Sequence, residues 1–136
     1  MEIKTEVWDR VMEFASLLAK EDKPEKYSAN YNALRDYCEA QSLDGYDHPF
    51  LWETLADFTI DDSAAIPIYL RALSRASGDE ARAYRVSIRF ALAQRHRNKG
   101  EMDLAREYAI AADDEARETD DLELRRRIGK FLLARE

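Results

Sequence analysis

Residues 92–112, LAQRHRNKGEMDLAREYAIAA, contain the pattern from which the architecture follows. Leu92 and Ala93 set a large apolar residue beside a small one, Gly100 permits a tight turn, and Ala105, Ala109 and Ala112 then recur at helical spacing. Met102 and Ala116 extend that face at either end. Small side chains let two helix axes approach to about 8 Å, near the lower limit of usual packing. The stretch therefore reads as two antiparallel helices turned at Gly100. Residues 52–73, WETLADFTIDDSAAIPIYLRAL, repeat it through Trp52, Leu55 and Ala56, then Ala65, Tyr69, Ala72 and Leu73. Ala65 and Ala72 correspond to Ala105 and Ala112, a period of about 40 residues that suits stacked helix pairs.

Seven helices are predicted along the chain. Val7, Val11, Phe14, Leu17 and Leu18 mark the first, over residues 3–20. Asp22 with Glu25, and Pro24, open the second, whose face is Tyr27, Tyr31, Leu34 and Cys38. The Gly, Asp and Pro content of residues 43–49 reads as a loop into a third helix that starts at Pro49 and ends near Phe58. Asp61, Asp62 and Ser63 offer caps for the fourth, Gly78 closes it, and Asp79 caps a fifth that runs to about Asn98. The fifth has two apolar stripes, Tyr84, Ile88, Ala91 and Leu92 against Val86, Phe90 and Ala93, so neighbours are expected on both sides. Asp120 with Glu123 opens a seventh, where Leu124, Ile128, Phe131 and Leu132 face inward and cover the end of the stack.

Composition narrows the class further. The chain has 136 residues, 46% hydrophobic and 36% charged, with four Gly and three Pro, which fits one helix-rich domain. A net charge of −7 disfavours nonspecific binding to nucleic acid or to an anionic membrane and suits a basic partner. The start MEIKTE lacks the features of a secretory signal, no run reaches the roughly 20 apolar residues of a membrane span, and Cys38 is a single cysteine, so a cytoplasmic location is expected.

On these residues the chain resembles the tetratricopeptide repeat family. The run Leu92-Ala93, His96, Gly100, Ala105, Ala109, Ala112 is similar to the family pattern, with His96 where tyrosine is usual and no proline after Ala112. The copy at 48–77 is shortened by about three residues and lacks a turn glycine. The N-terminal pair, 3–41, matches loosely through Trp8, Val11, Met12 and Ala15, then Ala29 and Ala33. The resemblance implies an all-α superhelix over 1–136, with its best repeat at 79–118 and a capping helix at 120–135. Such proteins bind other polypeptides, or each other, along a groove lined by the first helix of each pair. The plainer reading is an irregular helical bundle with the same alanine packing.

Aligning Trp8 with Trp52 and Arg89 gives that groove its expected residues. Glu6, Asp9 and Glu13 fall beside Phe50, Glu53 and Asp57, and beside Ser87, Phe90, Gln94 and Arg97. Five carboxylates would meet one surface with Phe50 and Phe90 as apolar anchors, a face for a Lys- or Arg-rich segment. The alternative makes the carboxylates solvated outward groups and the two phenylalanines core. A one-residue error in register turns each position by about 100°.

Nothing in the sequence composes a reaction. His48 and His96 lack metal-ligand spacing to carboxylates or to Cys38, and Cys38 sits on an apolar stripe as an inert thiol. Arg71, Arg75, Arg82, Arg85 and Arg89 form a basic zone that answers the acidic excess through ion pairs. No catalytic residue, metal or cofactor is expected. The expected role is a non-catalytic binding module, such as an immunity protein, antitoxin or chaperone. A self-associating structural homodimer is the alternative.

Overall fold

In a computed structural model, which describes residues 1–134, the chain is all-helical. The helices are α1 (Thr5–Lys20), α2 (Pro24–Leu43), α3 (Pro49–Asp57), α4 (Asp62–Arg75), α5 (Arg82–Asn98), α6 (Met102–Ala116) and α7 (Leu122–Leu133). A single 3-10 turn, Asp79–Ala81, precedes α5. The capping helix expected over 120–135 is α7, and residue 135 lies outside the described residues.

Local signals fix most boundaries. The Asp61 carboxylate accepts from the Ala64 amide at 2.9 Å, and that of Asp121 from Leu124 at 2.9 Å. At α3 the cap is an imidazole, His48 Nδ1 accepting from the Phe50 amide at 3.1 Å, ahead of Pro49 in the first turn. Three expected caps differ. Lys23 rather than Asp22 precedes α2, Asp121 rather than Asp120 caps α7, and Asp79 begins the 3-10 turn and pairs with Arg82 instead of capping α5.

Consecutive helices pack as pairs. In α3 and α4 the contacts reverse in order: Asp57 meets Tyr69, Trp52 meets Arg71, and Asp47, just before α3, meets Arg75. The same reversal joins α5 to α6, where Arg85 meets Glu115 and His96 stacks on Tyr108 with ring centroids 5.4 Å apart. Ala105, Ala109, Ala112 and Ala116 are all buried along that seam. At its closed end Gly100 takes φ +78°, a conformation costly for any other residue, and the Glu101 amide returns to the His96 carbonyl at 2.9 Å. The histidine is a structural element, with Nδ1 2.9 Å from a Glu101 oxygen.

The first helices of successive pairs also meet. His48 contacts Tyr84, Glu53 contacts Ser87, and the Ala56 carbonyl accepts from Arg95. The two series advance together, so α3 and α5 run parallel. Trp8 of α1 stacks on Phe50 of α3 at 4.8 Å. One core joins α1 to α5. A second, of Val86, Phe90, Ala112, Ala116 and Ile128, lies under α7. The two stripes of α5 thus feed both cores, Ile88 and Leu92 the first and Val86 and Phe90 the second. Among the described residues no helix is long and apolar enough to cross a membrane.

The basic zone is largely consumed by structure. Arg82, Arg85 and Arg89 converge on Glu115, and the Arg85 guanidinium holds that carboxyl below its ordinary pKa. Ala109 is fully buried between α5 and α6, so Ala109→Leu should force the helices apart. The expected loss is about 1–3 kcal/mol, read from the urea midpoint by circular dichroism.

Candidate partner-binding face

The face shared by α1, α3 and α5 is built on α3, a helix buried almost all round. Trp52, Leu55 and Ala56 point into the core, and the flank beside them carries Phe50, Glu53 and Asp57. Trp8 is not buried as Trp52 is. It is 41% exposed where Trp52 is 2% exposed, because α1 buries Val7, Val11, Phe14 and Leu18 instead. In the tryptophan alignment Val7 and Val11 fall on Leu51 and Leu55, all four buried, while Trp8 lies on the flank of that stripe and stacks on Phe50 of α3.

The expected residues do not all come together. Asp9 is exposed, and Glu13 is exposed and pairs with Arg10 at 2.7 Å. Glu6 is exposed on the α2 side of α1, where its charge acts on Tyr37. Phe50 is half-buried under Trp8. Glu53 is buried and accepts from the Ser87 hydroxyl at 2.5 Å. Asp57 accepts from the Tyr69 hydroxyl. Phe90 is buried against Phe131 at 5.6 Å, so α7 covers it. Gln94 and Arg97 lie farther along α5 beside Arg127 and Lys130.

What assembles is an aromatic shelf, Trp8 on Phe50 with Met12 one turn on, next to a nearly dry carboxylate at Glu53. Trp8 and Met12 belong among the candidate residues, and the α1 spacing 7, 11, 14, 18 carries the signal for them. That spacing defines the buried stripe and leaves residues 8 and 12 on its flank.

Burial pushes the Glu53 carboxyl up to about 7, with the Ser87 hydrogen bond opposing and the nearby Asp57 charge adding. Asp57 is also raised by desolvation, against the Tyr69 hydrogen bond and the Arg95 charge. Cys38 is buried, its thiol pushed up to about 12 by desolvation, and its Sγ donates to the Leu51 carbonyl. Among the described residues no group of three or more His, Cys, Asp or Glu is placed to hold a metal ion. Comparison of the chain with protein-family models, with curated proteins and with solved structures gives no match.

Glu53 sets a pH dependence of stability. Its pKa is about 7 in the folded chain and about 4.3 in the unfolded one. Between those values the unfolded state releases a proton that the folded state keeps, so stability falls as pH rises through the window and levels off above it. Glu53→Gln keeps an acceptor for Ser87 and removes the charge. It should flatten the slope and raise stability at pH 8 by up to about 3 kcal/mol, measured by urea unfolding at pH 5 and pH 8.

Proposed function

We propose that this chain is a non-catalytic, tetratricopeptide-like protein-binding module. Its partner-binding face is the one formed by α1, α3 and α5. The observation that carries this reading is the exposed aromatic shelf: Trp8 and Met12, 41% and 42% exposed, beside half-buried Phe50. Large apolar side chains on rigid helices offer contact area at little ordering cost, and tryptophan is the residue most often found at the energetic centre of an interface.

Charge acts at two ranges. The net −7 draws a basic polypeptide toward the molecule from a distance. On contact, the shelf would receive an apolar or cationic side chain, the latter over the Trp8 ring, with Asp57 at the edge. The exposed carboxylates Glu6, Asp9 and Glu13 then serve steering rather than contact. Immunity protein, antitoxin and chaperone all belong to this class of role, exercised in the cytoplasm. The same shelf would also suit a second copy of the chain.

The test uses capture from the native host's lysate at low and moderate salt, beside sedimentation at several concentrations. Trp8→Ala should weaken the retained partner at least tenfold with the helical spectrum unchanged, whereas Asp9→Lys should change mainly its salt dependence. Undiminished capture by Trp8→Ala would remove the shelf from the interface. A concentration-dependent dimer abolished by Trp8→Ala would assign the face to self-association.

A further inference from the structure

Two adjoining cavities, sharing Arg97, Phe131 and Ala134 in their linings, lie where α5, α6 and α7 come together. The larger is about 510 Å³, with Met102, Phe131 and Leu132 as its apolar wall and Arg97 and Arg106 at its rim. The smaller is about 260 Å³ and brings in Arg127 and Lys130. The larger volume falls within the range of small-molecule sites, roughly 300–1,000 Å³.

The charge of this region is opposite to that of the molecule. Acidic residues outnumber basic ones by 28 to 21 over the chain, and most cations in the interior of the stack meet a carboxylate. Among the described residues Arg97, Arg106, Arg127 and Lys130 meet none within 4.0 Å. Among the described residues Asp103 is the single carboxylate in the lining of either cavity. Two of the guanidinium groups rest on rings instead, Arg97 over Phe131 at 4.1 Å and Arg127 over Phe90 at 5.3 Å. A ring face orients a guanidinium without occupying its N–H donors, which stay free for an anion.

We propose that this double cavity binds a small organic anion, an apolar chain or ring that carries a carboxylate, sulfonate or phosphate head. The apolar part lies against Met102, Phe131 and Leu132, and the head is taken by Arg97 and Arg106. The site is separate from the Trp8 shelf and independent of the protein-binding role.

The probe is 1-anilinonaphthalene-8-sulfonate, an aromatic anion whose fluorescence rises on transfer to an apolar site, titrated into the full chain. One-site binding is expected, with the dye displaced by octanoate and not by octylammonium. Arg97→Glu and Arg106→Glu should each weaken binding at least tenfold. Arg126→Glu reverses the same charge outside the cavity and should weaken it less than twofold. Arg106→Gln removes charge at an exposed position without placing a carboxylate there, so it provides the comparison if a reversal unfolds the chain. Absence of binding, equal losses in Arg126→Glu and Arg97→Glu, or equal displacement by octylammonium would each overturn the proposal.

Discussion

Close approach of α5 to α6 is the constraint on which the rest of the molecule depends. Four alanines make it sterically possible, and Glu115 locks it by taking three arginines from α5. With one side of α5 fixed against α6, two others remain for α3 with α4 and for α7, which explains a helix carrying charged residues among two apolar stripes. A bulkier seam would separate the two cores, since each takes part of its lining from α5.

The helices were legible because their signals are local and redundant. Periodicity, turn glycines and capping aspartates act within a few residues of one another, so a misread cap moves a boundary by one or two positions and leaves the helix in place. The face was less legible because it depends on register between helices that are distant in sequence. Aligning α1 on its tryptophan follows residue identity, but the two tryptophans differ in burial: Trp8 lies beside the stripe of Val7, Val11, Phe14 and Leu18, whereas Trp52 lies in the core. For α3 and α5 the alignment set Phe50 level with Ser87 and Glu53 level with Phe90, whereas Glu53 meets Ser87, and it carried no measure of how deeply α3 sits between its neighbours.

Charge shows the same divide between composition and place. The net −7 is a property of the whole surface. It does not forecast that an expected groove carboxylate would be buried and poised near neutrality, nor that four cations would gather where three helices end. Counting residues gives the field at a distance, while the field in a crevice depends on which neighbours have already paired.

The helix pairs are unequal in what they bury. In α2, twenty residues long, only Leu34 and Cys38 are fully inside, whereas α5 buries six residues in seventeen. In a stacked architecture, stability is close to a sum over neighbouring interfaces, so the thinnest seam opens first. Here that seam lies at the α1–α2 end. Its opening would separate Trp8 from Phe50 while the α5–α6 centre stayed folded. A partner gripping both aromatics would therefore act as a clasp on the weakest part of the molecule, slowing amide exchange in α1 and α2 well before it altered exchange in α5.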